Sequence, residues 1–311
     1  MPKISVIVPV YFNELNLPPL MERLLALSKD KEFEFEYIFV DDGSGDNSYS
    51  VLKELAAKDN RVKVIKLSRN FGSFVASLAG IRNATGDCLT VISSDLQDPP
   101  ELILEMAQEW KSGRKVVLAV REDRKDSLMV KLTAFLFYWL MKKFILSDMP
   151  SGGFDFFLID KKVAQIVSRS QEKNTSLIGL ILWLGFDRKI IYYTRQKREV
   201  GKSMWTFRKK SKYFIDSITA FSYWPLRLAS IFGIVISLGG FFYIGWIFYM
   251  YFFMVVPPPG WSALMVIVLF VSGIQLIMLG VIGEYLWRNF DETKKRPVYV
   301  VDETQGIDDP R

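Results

Sequence analysis

Polar side chains follow several short apolar runs in this chain of 311 residues, where they could form a site. Asp41 and Asp42 follow one run and precede Gly-Ser, an arrangement that lets the backbone approach a base or ribose closely. Asp95 and Gln97 follow another run and alternate in what we predict to be extended chain, so their side chains point to one side. A carboxylate and an amide oxygen on one face can bind Mg²⁺ or Mn²⁺ that a diphosphate also holds.

Both segments also carry residues with a purely structural interpretation. The turn after the first carboxylate pair fits a helix cap made by Asp46 or Asn47. Asp98 is followed by Pro99 and Glu101 in the spacing of a capping box. We therefore predict that Asp98 caps a helix and does not bind a ligand.

Strands and helices alternate over the first part of the chain and must position these side chains. β-branched or apolar runs predict strands at residues 4–9, 35–40, 62–67, 88–93 and 116–120, and helical patterns lie at 15–28, 47–58, 73–84 and 100–112. This alternation predicts an α/β fold with a mostly parallel sheet, whose ligands bind beyond the carboxyl ends of the strands. Residues 302–311 are predicted to form a loose acidic tail.

The composition excludes several kinds of chemistry. There is no histidine and a single cysteine, Cys88. These counts exclude a Ser-His-Asp triad, an HExxH zinc site, an imidazole base, an intrachain disulfide and a thiolate zinc cluster. There is no GxGxxG, and Gln196 occupies the first glycine position of the P-loop that Gly201, Lys202 and Ser203 would end. The chemistry must therefore use carboxylates, amides, hydroxyls, Lys and Arg.

Two uncharged stretches, 228–256 and 262–283, are long enough to cross a bilayer. They predict transmembrane helices at about 228–254 and 262–287, joined by an uncharged turn into a hairpin. A pair of buried core helices is the alternative, although such helices rarely run this long without a polar face. Basic residues flank both helices and are absent from the turn, which predicts that the large N-terminal domain is cytoplasmic.

The chain is therefore predicted to be a multi-pass protein of the inner (cytoplasmic) membrane. Residues 1–225 would form the cytoplasmic domain, 226–290 the two membrane helices, and 291–311 a cytoplasmic tail. Residues 127–146 and 207–221 resemble amphipathic helices on an anionic membrane surface, or helices packed on the soluble domain. The formal net charge of +6 is concentrated beside the membrane helices, which argues against a nucleic-acid partner.

Taken together, six motifs resemble the family-2 glycosyltransferases. They are PVYFNE at 9–14, DDGSGD at 41–46, LSRNFG at 67–72, SSDLQDPPE at 93–101, GGFDFFLI at 152–159 and REVGKS at 198–203. Within that family the chain is most similar to the polyprenyl-phosphate glycosyltransferases, such as dolichol-phosphate mannose synthase and the bactoprenol glucosyltransferases of the GtrB type. The likeness covers nearly the whole chain, and it implies the GT-A fold, a Rossmann-like catalytic domain with a mostly parallel sheet.

The resemblance also implies roles for individual residues. Those implied to bind the nucleotide sugar are Pro9, Tyr11, Glu14, Asp42, Arg69, Asn70, Ser93 and Asp95. Asp95 and Gln97 are implied to bind Mg²⁺ or Mn²⁺. Ser93 stands where the family usually has the first aspartate of DADLQ or DVDLQ, so one usual carboxylate is missing.

On the acceptor side, Asp155 takes the place of a catalytic carboxylate, and Phe157 replaces its usual arginine partner. Arg198 is implied to be catalytic and to bind the acceptor phosphate together with Lys202 and Ser203. Solvated loop charges are the alternative interpretation of the two basic residues.

The implied function is inverting transfer of a sugar from a nucleotide sugar, with UDP favoured by the resemblance, to a polyprenyl phosphate at the cytoplasmic membrane face. The product would be a polyprenyl-phosphate sugar for cell-envelope glycan or lipopolysaccharide modification. The implied partners are the donor, the acceptor, the lipid bilayer and a second copy of the chain in a homo-oligomer. Two alternatives stay open: a catalytically weakened sugar-nucleotide-binding membrane protein, which Ser93 favours, and a polysaccharide synthase with a non-lipid acceptor, which the lack of QxxRW disfavours.

Overall fold

The computed structural model describes residues 1–121, 150, 154–172, 175–196, 216, 218–220, 222, 224–253 and 260–307. The chain divides into two compact units. The first, which we call the globular unit, contains Met1–Ser217 and Arg296–Arg311, and the second, the helical unit, contains Ile218–Lys295.

The globular unit begins with a regular alternation of strands and helices. In chain order these are β1 (Lys3–Val10), α1 (Leu17–Leu27), β2 (Glu34–Asp41), α2 (Ser48–Lys58), β3 (Val62–Leu67), α3 (Ser73–Asn83), β4 (Cys88–Val91), α4 (Leu102–Lys111) and β5 (Val116–Arg121). All five strands and four helices predicted from the sequence are present, most of them within two or three residues of the predicted ends.

The remaining elements of the globular unit are β6 (Phe156–Asp160), α5 (Lys161–Ser168), α6 (Leu177–Trp183), β7 (Arg188–Tyr193) and β8 (Val301–Gln305). The described strands form one sheet in the order β7-β5-β6-β4-β1-β2-β3-β8. Strands β1 to β5 and β7 run in one direction, whereas β6 and β8 run antiparallel to their neighbours. This mixed, mostly parallel sheet confirms the predicted fold class.

Apolar side chains cover both faces of the sheet, because each central strand is buried on both sides. One cluster packs α1, α2 and α4 on the face that carries Val6 and Val8, and the other packs α3, α5 and α6 on the face that carries Ile7. The three layers hold the strand ends in fixed register, which is what positions the polar loops between them.

The prediction of a loose acidic tail at 302–311 is wrong for residues 302–305. They lie in the edge strand β8, antiparallel to β3. Lys66 pairs with Asp302 at 2.7 Å and with Glu303 at 3.0 Å, and the Tyr49 hydroxyl donates to Glu303. The acidic residues are therefore partners of a basic strand.

The helical unit contains α7 (Trp224–Phe253) and α8 (Trp261–Thr293). Both contain windows long and apolar enough to cross a membrane, with mean hydropathy 2.1 and 1.5, and in neither window is any described side chain buried. This exposure contradicts the alternative of a buried pair of core helices. The predicted interfacial helices at 127–146 and 207–221 lie outside the described residues, apart from 216 and 218–220.

Candidate functional site

The sheet brings the predicted site residues to one edge, which we call the site edge. The carboxyl ends of β1, β2 and β4 lie there, with Val10 opposite Asp41 and Ile7 opposite Val91. Because β6 is antiparallel to β4 and β5, its first residues also lie at this edge. Polar groups from distant parts of the chain therefore meet at the carboxyl ends of the parallel strands, where ligands are expected to bind.

The 9–14 segment leaves β1 and is tied to its neighbours by hydrogen bonds. The Asn13 amide donates to the Ser94 hydroxyl at 2.8 Å, which links the loops after β1 and β4. Phe12 has a left-handed backbone, with φ of 53°, and the residue is 47% exposed. Tyr11 packs edge-on against this ring, with centroids 4.7 Å apart. A strained aromatic residue held at the mouth of a polar loop is a candidate surface for stacking a planar ligand.

Glu14 lies in the loop between β1 and α1, and its carboxylate contacts the start of α2. One of its carboxylate oxygens accepts a hydrogen bond from the Asn47 backbone N–H at 2.8 Å. Of the two predicted capping groups, Asp46 accepts from the Ser48 N–H at 3.1 Å, whereas Asn47, the N-cap residue of α2, makes no side-chain cap. Pro9 is part of β1 itself. Glu14 therefore fastens the 9–14 segment to the loop after β2.

Asp42 supports the 67–72 loop directly. Its two carboxylate oxygens accept from the backbone N–H groups of Phe71 at 2.7 Å and Gly72 at 2.9 Å. Burial raises the pKa of Asp42 to about 6, although these two bonds favour the ionised form. Asp41 is fully buried, which raises its pKa, and among the described residues its Oδ1 has no hydrogen-bond partner.

Gly43 brings the loop after β2 into close contact with the 67–72 loop. Its φ is +66°, and a Cβ built on it would lie 2.5 Å from the Arg69 carbonyl carbon and 2.8 Å from the Asn70 nitrogen. Only glycine fits this position without displacing the neighbouring backbone. The Arg69 and Asn70 side chains are exposed, and the Arg69 guanidinium lies over the Phe71 ring.

The loop after β4 is a turn, so the prediction of extended chain through Asp95 and Gln97 is wrong. Leu96 between them has φ of 58°. Asp95 Oδ1 accepts from the Ser93 hydroxyl at 2.5 Å and from the Gln97 N–H at 3.2 Å. The turn still holds Asp95 and Gln97 side by side, and the serine that replaces the usual aspartate orients the remaining carboxylate.

Asp95 and Gln97 suit a metal ion that is shared with a diphosphate better than a metal ion that is held by the protein alone. Among the residues that the structure describes, no group of three or more His, Cys, Asp or Glu side chains could hold a metal. Asp95 offers one carboxylate and Gln97 one amide oxygen. Mg²⁺ is commonly held by one or two carboxylates together with substrate phosphates. The residues therefore fit a divalent cation whose remaining ligands come from a diphosphate.

Asp98 is a structural residue, but the predicted capping box is wrong. Helix α4 begins at Leu102, and its N-cap residue is Glu101, which makes no side-chain cap. The Asp98 carboxylate accepts instead from the Tyr193 hydroxyl at 2.5 Å and lies 3.4 Å from Nε of Arg195. Burial raises the pKa of Asp98, while Arg195 and Tyr193 act in the opposite direction.

Asp155 has an arginine partner that sequence analysis missed. Its half-exposed carboxylate pairs with Arg121, the last residue of β5, whose side chain is only 12% exposed. Phe157, which replaces the usual arginine, is buried in β6. Arg121 directly follows the predicted strand at 116–120. A polar side chain at the carboxyl end of a predicted strand is a signal that could have identified it.

Sequence analysis also missed Tyr193, the last residue of β7, and Arg195, which follows that strand, because no strand was predicted there. Burial and the Asp98 carboxylate raise the pKa of the Tyr193 hydroxyl, so it stays protonated and donates. Arg198, Lys202 and Ser203 lie outside the described residues, so their predicted contact with the acceptor phosphate stays a prediction.

Comparison with known proteins identifies the family. The model of glycosyl transferase family 2 matches residues 5–165. An uncharacterised glycosyltransferase of Bacillus subtilis (strain 168) is 44% identical over 99% of this chain and 95% of its own length. A prophage bactoprenol glucosyl transferase homolog of Escherichia coli (strain K12) is 35% identical, and the bactoprenol glucosyl transferase of Shigella phage SfV is 34% identical, each over 96% of this chain and 98% of the relative.

The chain therefore belongs to glycosyl transferase family 2 and is a glycosyltransferase. A solved structure, mannosyl-3-phosphoglycerate synthase from Rubrobacter xylanophilus, matches with a TM-score of 0.45 at 17% identity, over 70% of this chain and 72% of that one.

Proposed function

We propose that this protein transfers a sugar, with inversion, from a UDP-linked donor to a polyprenyl phosphate at the cytoplasmic face of the inner membrane. The product is a polyprenyl-phosphate sugar for cell-envelope glycan or lipopolysaccharide modification. One observation carries the proposal: the similarity to bactoprenol glucosyl transferases extends over 96% of the chain, and so includes the two apolar helices as well as the site edge.

The donor lies, in this proposal, across the loops after β1 to β4. The exposed Phe12 ring offers a stacking face for the base, and the 67–72 loop held by Asp42 borders the nucleotide. Asp95 and Gln97 would hold Mg²⁺ or Mn²⁺, which supplies positive charge to the departing diphosphate. Ser93 keeps the Asp95 carboxylate oriented toward that role by its hydrogen bond.

The reaction is a single displacement. An oxygen of the acceptor phosphate attacks the anomeric carbon, the bond from that carbon to the diphosphate oxygen breaks, and the nucleoside diphosphate leaves. Attack opposite the leaving group inverts the configuration. A phosphomonoester has its second pKa near ~6 and is mostly a dianion at neutral pH, so the nucleophile needs little deprotonation. A chain without histidine is therefore equipped for this reaction.

Asp155 and the basic segment after β7 act on the acceptor side. The pairing with Arg121 fixes the Asp155 carboxylate at the site edge, where it orients the acceptor or takes a residual proton. Arg198, Lys202 and Ser203 are proposed to balance the incoming phosphate. Because the acceptor phosphate lies at headgroup level, α7 and α8 serve to hold the enzyme at the bilayer, with the 1–225 domain on the cytoplasmic side.

A partition assay tests this proposal. Purified full-length protein in detergent is incubated with Mg²⁺, polyprenyl phosphate and a panel of radiolabelled nucleotide sugars, and label is counted in the organic phase. We expect label to enter the organic phase only with acceptor present, and Asp95→Asn to reduce the rate by at least about 100-fold. Arg114→Gln, which removes an exposed pair with Asp187, serves as the matched control.

Two other outcomes would contradict the proposal in different ways. Label in a water-soluble polymer would identify a polysaccharide synthase with a non-lipid acceptor. Donor binding without transfer of any sugar in the panel would identify a sugar-nucleotide-binding protein weakened by the serine at position 93.

A further inference from the structure

The segment after β7 lies against the loop after β4. The Gln196 N–H donates to the Gln97 carbonyl at 2.9 Å, and the Gln97 side-chain amide donates back to the Gln196 carbonyl at 3.2 Å. Arg23 of α1 donates to the Gln196 side chain at 3.3 Å and pairs with Glu101. These contacts fix the backbone of residue 196 beside the loop that carries Asp95.

Arg195 therefore lies between two carboxylates of the β4 loop. Its Nη2 is 3.8 Å from Asp95 Oδ2, and its Nε is 3.4 Å from Asp98 Oδ1. The Asp98 side chain is 1% exposed, whereas the Arg195 side chain is 27% exposed. One guanidinium thus joins a buried structural carboxylate to the carboxylate proposed to meet the metal and diphosphate.

We infer that Arg195 is a positioning residue that holds Asp95 in the orientation needed to bind a divalent cation with a nucleoside diphosphate. The inference rests on the proposed function, which supplies the diphosphate. Asp98, which Tyr193 holds in place, anchors the guanidinium, and the guanidinium in turn attracts Oδ2 of Asp95. Without it, Asp95 Oδ2 loses this attraction, and the carboxylate turns about the hydrogen bonds that its Oδ1 accepts from Ser93 and Gln97.

The alternative is that Arg195 only neutralises buried Asp98, and a double substitution separates the two roles. Arg195→Gln removes the stronger of the two cations that act on buried Asp98, the other being Arg121, so the apparent Tm falls by at least about 5 °C. Adding Asp98→Asn removes the buried charge and keeps an oxygen that accepts from Tyr193, so the Tm recovers. A positioning role predicts that the double variant regains stability and does not regain affinity.

The experiment titrates Mn²⁺ into full-length protein with saturating UDP and measures free Mn²⁺ by electron paramagnetic resonance. We expect Arg195→Gln to weaken Mn²⁺ binding at least about tenfold, Arg195→Lys to lose only about threefold, and Arg114→Gln to match the wild type. The Arg195→Gln/Asp98→Asn variant should match the wild type in Tm and Arg195→Gln in affinity.

Wild-type affinity in Arg195→Gln, or recovered affinity in the double variant, would overturn the positioning role. A folded wild type that binds no Mn²⁺ with UDP would overturn the metal site and this role together. Failure of the proposed function looks different: the wild type would bind Mn²⁺ with UDP, the variants would follow the expected order, and no sugar would reach polyprenyl phosphate.

Discussion

Replacing Gly43 with alanine tests how closely the loop after β2 supports the 67–72 loop. The new Cβ would lie 2.5 Å from the Arg69 carbonyl carbon, while ordinary contact begins at 3.4 Å, so the Arg69 backbone must retreat by about 0.9 Å. That movement stretches the bonds that Asp42 accepts from Phe71 and Gly72, now 2.7 and 2.9 Å long.

The expected energy has two parts. A residue other than glycine at φ of +66° costs about 1–2 kcal/mol. Loss of one hydrogen bond to a charged carboxylate costs about 1.5–3 kcal/mol more. Gly185→Ala isolates the first part, because Gly185 has φ of +67° and nothing lies within 4 Å of the position that its new methyl group would take. The Gly43 variant should therefore be less stable than the Gly185 variant by about 1.5–3 kcal/mol.

Thermal unfolding and UDP titration of the full-length variants measure the two effects. At about 2–4 °C per kcal/mol for a unit of this size, Gly43→Ala should melt roughly 3–12 °C below Gly185→Ala. We expect its UDP affinity to fall about tenfold, and that of Gly185→Ala to stay at the wild-type value. Equal melting temperatures and unchanged UDP affinity in both variants would refute the reasoning.

Three further predictions concern other parts of the globular unit. Burial opposes the charge on Glu36, but hydrogen bonds from Lys63 and Ser5 outweigh it and lower its pKa to about 2. Glu36→Gln should therefore lose about 3 kcal/mol of unfolding free energy at neutral pH, a loss that disappears as the pH falls from about 4.5 to about 2. Cys88 is buried, which raises its thiol pKa, so Ellman's reagent should find no thiol at pH 8 until the protein unfolds. Asp155→Asn should slow turnover by less than about tenfold at pH 8, because the acceptor is already a dianion.

Each of these predictions has a distinct contradicting result. A stability difference for Glu36→Gln that persists below pH 2 would show that packing, and not charge, accounts for it. Rapid labelling of folded protein would show that Cys88 is accessible. A loss of about 1,000-fold for Asp155→Asn at pH 8 would identify an obligatory general base.

Local patterns predicted the parallel strands β1 to β5, although not β7, and the loops that matter most. Asp42 and Asp95 were found because each follows an apolar run, and strand ends meet at one edge. Strand β8 was missed because Val301–Gln305 is mostly polar, and its place in the sheet depends on pairing with β3, far away in the chain. A polar edge strand has no local signal that distinguishes it from a tail.

Asp98 shows how a distant contact overrides a correct local pattern. Its spacing to Pro99 and Glu101 fits a capping box, yet its carboxylate accepts a hydrogen bond from Tyr193, 95 residues away in the chain. Arg195 could not be assigned to the site for the same reason, because its role depends on the docking of the β7 loop onto the β4 loop.

The most direct test of the central claim is to identify both products of one reaction. Wild-type protein is incubated with Mg²⁺, polyprenyl phosphate and a UDP-sugar that the panel identifies, and the lipid and the nucleotide are analysed by mass spectrometry. The proposal predicts a lipid with one phosphate and one sugar residue, and an equal amount of UDP. Release of UMP with a lipid diphosphate sugar, or release of UDP without any glycosylated lipid, would contradict it.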